Sequence, residues 1–79
     1  MARYYFHVRR DGQLIRDEEG VDLSDISAAK QEALKGAREL LADAIKTGRR
    51  TVPDALVVTD EAGREVDTVT LQMLLPKLF

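Results

Sequence analysis

The sequence predicts an α+β domain in which two β-hairpins form an antiparallel sheet and one long helix packs on one face of it. Three observations lead to this prediction. Apolar and polar residues alternate near the start of the chain, small apolar residues recur at helical spacing in its middle, and a glycine-containing turn interrupts each strand-like region. The predicted order is β-β-α-β-β, in a single domain that covers residues 1–79.

Residues 1–17 are predicted to form the first hairpin. Every second residue between positions 3 and 9 is a large apolar side chain, which is typical of a strand with one buried face. Asp11 and Gly12 favour a tight two-residue turn, because a type I′ turn needs positive φ at both positions. The residue pairs that this turn predicts are Val8–Ile15, His7–Arg16 and Phe6–Asp17.

Residues 25–47 are predicted to form the helix. Ser24 or Asp25 is the expected N-cap, and Gly48 is the expected stop after the last turn. One face of this helix is apolar and rich in alanine, so we expect it to approach the sheet closely. The residues of that stripe are Ile26, Ala29, Ala33, Ala37, Leu40, Leu41 and Ala44.

Residues 55–71 are predicted to form the second hairpin, around a turn at residues 61–63. Pairing Asp60 with Arg64 places Val58 opposite Val66 and Leu56 opposite Thr68. Residues 72–79 follow as an apolar tail.

Composition excludes several classes of site. The chain contains no cysteine, which rules out a disulfide framework, a thiolate zinc site and a cysteine nucleophile. The net charge of −2 is unlike the basic field of typical nucleic-acid-binding domains. No leader-like or membrane-spanning stretch is recognisable, so we expect a cytoplasmic protein with no membrane contact. No motif predicts a cofactor or a metal site.

The outward face of the first hairpin is one candidate interaction surface. It carries Tyr5, His7, Arg9 and Arg16. Aromatic and basic side chains in one patch can stack on and neutralise single-stranded nucleic acid. The favoured interpretation is a solvated sheet face or a contact with a second subunit, because strand alternation explains every residue. His7 is not expected to act as a catalytic base, since its predicted neighbour is the cation Arg16. No catalytic residue is predicted.

The apolar C-terminal segment is the second candidate surface. It either closes the domain's own core or presents a patch to a partner. Because a chain of this length buries a small core, self-association is favoured. The candidate residues are Leu71, Met73, Leu74, Leu75, Leu78 and Phe79.

Three motifs resemble a family of short bacterial proteins known only as a domain of unknown function. They are RYYFHVRRDG at residues 3–12, DEEGVDLSD at residues 17–25 and the alanine-rich AAKQEALKGARELLADAI at residues 28–45; a D-E-x-G turn at residues 60–63 also matches. The resemblance extends to about residue 69 and implies no activity. A fainter resemblance is to HicB-type antitoxins, which implies toxin binding at most, because no helix-turn-helix is present.

The sequence therefore predicts a non-enzymatic domain that acts by protein–protein interaction and is a homodimer or binds an unidentified protein. The alternatives are an antitoxin-like toxin-binding module and nucleic-acid binding through the first hairpin.

Overall fold

A computed structural model describes residues 1–75 as a five-stranded antiparallel sheet with one α-helix on one face. The predicted α+β class is confirmed, and the sheet gains one strand that was not predicted. The elements are β1 (Ala2–Arg10), β2 (Gln13–Ile15), β3 (Val21–Leu23), α1 (Ile26–Lys46), β4 (Ala55–Thr59) and β5 (Glu65–Thr70), followed by a 3₁₀ turn at Leu71–Leu74.

The strand order is β2-β1-β4-β5, with β3 as an additional neighbour of β1. Both β2 and β3 lie along the same edge of β1. Strand β2 pairs with residues 8–10 and β3 with residues 2–4, so the middle of that edge has no strand beside it. There the carboxylate of Asp17 accepts the backbone N–H of Phe6 at 3.1 Å, in place of a strand partner.

The first hairpin has the predicted register. Val8 lies opposite Ile15, and the turn residues Asp11 and Gly12 have φ of 52° and 77°, as a type I′ turn requires. The strand pairing stops at Ile15, two residues earlier than predicted. The predicted Phe6–Asp17 neighbours do meet, but through the Asp17 side chain rather than through strand pairing.

The second hairpin differs from its predicted register by one residue. The turn is as predicted, because the N–H of Asp60 donates to the carbonyl of Arg64 at 2.9 Å. An irregularity between Val58 and Thr59 then shifts the pairing. The predicted Val58–Val66 and Leu56–Thr68 pairs are wrong, since a bulge adds one residue to one strand. The observed pairs are Val58–Asp67 and Leu56–Val69.

The helix is one residue shorter at each end than predicted. Asp25 is the N-cap, and its Oδ1 accepts the N–H of Ala28 at 2.8 Å. Most of the predicted stripe is buried, but Ile26 is 48% exposed and does not belong to the core. The buried helix residues are Ala29, Ala33, Ala37, Leu41 and Ala44. The helix packs mainly against β4, β5 and the 3₁₀ turn.

The core lies between α1 and the sheet and is closed at one end by the 3₁₀ turn. Leu71 is 0% exposed and belongs to the buried cluster, while Leu74 packs against it. The start of the apolar C-terminal segment therefore packs in the chain's own core through Leu71 and Leu74. Within residues 1–75, no helix is long and apolar enough to cross a membrane.

Candidate functional site

A polar cleft of about 320 Å³ lies on the sheet face opposite the helix. Strand β1 contributes Tyr5 and His7, and β4 contributes Thr59. The segment after β2 and the turn before β5 form the walls. The wall residues are Arg16, Asp17, Glu18, Asp60, Glu61 and Gly63.

His7 forms the floor of this cleft and is only 4% exposed. Both ring nitrogens have protein partners. The N–H of Asp17 donates to Nδ1 at 3.0 Å, so the ring proton is on Nε2, which lies 2.9 Å from Thr59 Oγ1. His7 is therefore held as a neutral structural side chain, and the expectation that it lies on an open surface is wrong. The segment at residues 16–17 folds over it.

The pKa of His7 is lowered from its ordinary value of 6.5. Burial is the main cause because it disfavours the charged ring, and the nearby Arg16 guanidinium acts in the same direction. The Asp17 carboxylate opposes both effects without reversing them. The predicted lowering of the His7 pKa by Arg16 is thus present.

Asp17 links the cleft to the edge of β1. Burial alone would raise the pKa of its carboxyl, but hydrogen bonds from the N–H groups of Phe6, Gly20 and Glu19 lower it overall. The side chain is therefore ionised at neutral pH. It organises the chain between β2 and β3 as well as the free edge of β1.

The predicted aromatic and basic set does not form one surface. Tyr5, His7 and Arg16 line the cleft, and the rings of Tyr5 and His7 are parallel with centroids 6.3 Å apart. Arg9 does not line it. The described lining residues of the cleft include four carboxylates and one cation, Arg16. Asp60 is paired with Arg64 at 3.1 Å, and the remaining excess of negative charge is unfavourable for a phosphate backbone.

The predicted C-terminal set is divided as well. Leu71 is buried in the core, and Leu74 is half-buried and packs against it. Met73 is 83% exposed and Leu75 is 45% exposed. Leu78 and Phe79 lie outside the described residues.

A third surface, which the sequence interpretation missed, is an apolar groove of about 300 Å³ between α1 and β1. We call it the helix-side groove. It exists because α1 lies over β4 and β5, so that Phe6 and Val8 of β1 are only partly covered, whereas Tyr4 is buried in the core. The lining residues are Phe6, Val8, Asp17, Val21, Glu32, Gly36, Leu40 and Leu56.

Two exposed apolar residues extend the helix-side groove along the sheet edge. Val21 is 43% exposed and pairs with Tyr4. Ile15 is 55% exposed and pairs with Val8, so its side chain lies on the same face of the sheet. The groove thus continues into an uncovered apolar border instead of ending in the core.

Gly36 lies in the middle of α1 and lines the helix-side groove. Glycine in a helix interior is about 1 kcal/mol less favourable than alanine. Close packing does not require it, because a Cβ built at this position has its nearest neighbour, Leu56 Cδ2, at 3.4 Å, an ordinary contact. What the missing methyl group provides is space in the groove.

The charged residues that line the helix-side groove are both acidic. They are Asp17 and Glu32, and no lysine or arginine lines the groove among the described residues. Neither carboxylate takes part in a salt bridge within residues 1–75. In the same part of the chain, no cluster of histidine and carboxylate side chains is suited to hold a metal ion.

Comparison with known proteins gives one family. The model of the family described as Domain of unknown function (DUF6894) matches residues 3–72. No curated protein and no solved structure has significant similarity to the chain. Similarity to HicB-type antitoxins is therefore not shown.

Proposed function

Since this chain belongs to the DUF6894 family, whose description names no activity, we propose its function from its own geometry: it is a non-enzymatic protein-interaction domain that holds an apolar segment of another protein in the helix-side groove. The observation that carries the proposal is Gly36. The helix gives up about 1 kcal/mol of propensity at the position where a methyl group would narrow the groove. A cytoplasmic location and a bacterial source remain part of the proposal.

The non-enzymatic part of the proposal is supported by the cleft around His7. A general base needs a ring nitrogen free to accept a proton from a substrate. Nδ1 of His7 is occupied by the N–H of Asp17, and Nε2 lies against Thr59 Oγ1. The chain's only histidine therefore serves the fold.

Peptide selection with the full chain tests the groove. A random peptide library is displayed and selected for binding, and the selected peptides are measured against two variants. Val21→Ser removes an apolar side chain that lines the groove, and Leu14→Ser is the matched control on the other sheet face; both residues are 43% exposed. We expect Val21→Ser to weaken binding roughly fivefold or more, with little change for Leu14→Ser.

The opposite result would contradict the proposal. Peptides that depend on Leu14 and not on Val21 would move the binding surface to the sheet face away from the helix. Binding of single-stranded nucleic acid that weakens with rising salt and with Arg16→Ala would favour the nucleic-acid alternative instead.

Self-association through the C-terminal segment is a second candidate, supported by the exposure of Met73 and Leu75. Light scattering tests it directly. The full chain should be a dimer, and the double variant Met73→Ser with Leu75→Ser should be a monomer. A monomeric full chain at all concentrations measured would refute self-association.

A further inference from the structure

We infer that the segment held by the helix-side groove is basic and amphipathic, with apolar anchors flanked by lysine or arginine. This inference rests on the proposed function, because it specifies the partner of the same groove. Its basis is charge complementarity. The groove combines an apolar floor with two carboxylates at its border and no cation among its described lining residues.

The two carboxylates differ in how far the protein already compensates them. The hydrogen bonds of Asp17 keep its carboxyl ionised, since they lower its pKa despite burial. Glu32 is exposed on α1, where it forms no salt bridge within residues 1–75. Asp17 already accepts three backbone N–H groups, so a partner without positive charge would leave chiefly the Glu32 carboxylate uncompensated beside a newly buried apolar contact.

The acidic character continues along the helix. Glu39 and Asp43 follow Glu32 by seven and eleven residues, which is about two and three helical turns, so they lie on the same side of α1. Lys46 follows Glu39 by seven residues and lies on this side as well, at the C-terminal end of α1, and Lys35 lies about 60° around the helix from Glu32. Glu39 and Asp43 do not line the groove, but a bound segment that continues along α1 from Glu32 to Asp43, about 16 Å of helix, would pass three carboxylates and one ammonium group, that of Lys35.

A second copy of this chain does not suit the groove. In a two-fold symmetric dimer the same patch meets itself, so the Glu32 and Asp17 carboxylates of both copies would come together around one apolar contact. Like charges at an interface weaken binding unless cations separate them. The charges thus select a basic partner over a homodimer at this surface.

Three synthetic peptides test the inference on the full chain. Each places leucine at i, i+3, i+4 and i+7, with lysine, glutamine or glutamate at the remaining positions. Binding is measured by fluorescence anisotropy, and the amides that shift in ¹⁵N NMR spectra locate it. We expect the leucine–lysine peptide to bind most tightly, to weaken with salt, and to shift amides around Val21, Gly36 and Leu40.

Two charge-reversed variants separate the effect of the charge at the groove from the effect of the net charge of the chain. Glu32→Lys changes a groove carboxylate, and Glu65→Lys makes the same change in net charge at an exposed residue of β5. We expect Glu32→Lys to weaken the leucine–lysine peptide about three- to tenfold and Glu65→Lys to change it less than about twofold.

The outcomes distinguish the two proposals. If the neutral or acidic peptide shifts the groove amides with equal affinity, the basic partner is refuted and the protein-binding groove stands. If the lysine peptide shifts only amides of the cleft around His7, or if both charge variants weaken it equally, the basic partner is likewise refuted. If no peptide shifts the groove amides, the proposed function itself fails.

Discussion

Replacing Gly36 with alanine is expected to stabilise the chain by about 1 kcal/mol. The main contribution is helix propensity, because alanine is about 0.8–1.0 kcal/mol more favourable than glycine inside a helix. The new Cβ meets Leu56 Cδ2 at 3.4 Å, the short end of ordinary van der Waals contact, and the neighbour is the end of a side chain that can move slightly, so we expect most of this gain to remain. For a domain of this size the midpoint of thermal unfolding should rise by about 4–8 °C. Thermal and urea unfolding followed by circular dichroism measure both quantities.

The reverse substitution Ala42→Gly serves as the control for this prediction. Ala42 is exposed within α1, so its replacement should lower the free energy of unfolding by about 1 kcal/mol and calibrate helix propensity in this helix. If Gly36→Ala destabilises the chain while Ala42→Gly behaves as expected, then close approach of the helix to the sheet requires the glycine. The argument that Gly36 keeps the groove open would then be refuted.

Three further substitutions test the fold around the site. Below pH 6.5 the free energy of unfolding should fall as the pH decreases, because the unfolded chain protonates its histidine first, while the buried His7 has a lowered pKa. In pH-dependent urea unfolding His7→Gln should remove this dependence down to about pH 5, below which carboxyls with a lowered pKa, such as that of Asp17, contribute as well. Gly12→Ala should lower the free energy of unfolding by about 1 kcal/mol, because Gly12 has positive φ, and Gly20→Ala should lower it by more in the same assay. Both glycines have positive φ, but only at Gly20 would a Cβ lie within 3.0 Å of neighbouring atoms. Equal losses would refute the clash at Gly20. Leu71→Ala should lose about 2–5 kcal/mol in urea unfolding, whereas Ile45→Ala, at a residue that is 72% exposed, should stay within about 0.5 kcal/mol. Similar small effects of both substitutions would show that Leu71 does not close the core.

The elements that sequence predicts best are those fixed by local chemistry. The Asp11–Gly12 turn sets the register of the first hairpin by itself, since it requires positive φ at both positions. The helix boundaries follow from Asp25 as the cap and from the spacing of the alanines. In each case a few neighbouring residues determine the register or the helix boundary.

The second register and the extra strand depend on contacts that are distant in sequence. No turn-forming residue in the sequence indicates the bulge between Val58 and Thr59, and this bulge displaces each later residue pair between β4 and β5 by one position. Strand β3 has three residues, too few to show alternation, and it forms because Asp17 and Gly20 redirect the chain along β1. Sequence periodicity alone does not contain this information.

The two surfaces differ in how far the sequence predicts them. Alternation correctly places Tyr5 and His7 on the face away from the helix, but the burial of His7 depends on the segment at residues 16–17 folding over it. The helix-side groove depends on where α1 lies across the sheet, which no local pattern fixes. Its available signal was Gly36, a glycine inside the helix at the edge of the alanine-rich stripe.

The affinity of Gly36→Ala for the leucine–lysine peptide tests the central claim most directly. Loss of folding cannot explain weaker binding by this variant, because the substitution is expected to make the chain more stable. We predict that the peptide binds Gly36→Ala several-fold more weakly than it binds the unmodified chain, while the midpoint of thermal unfolding rises. Unchanged or tighter binding by a stabilised Gly36→Ala chain would contradict the claim that the helix-side groove is the binding surface.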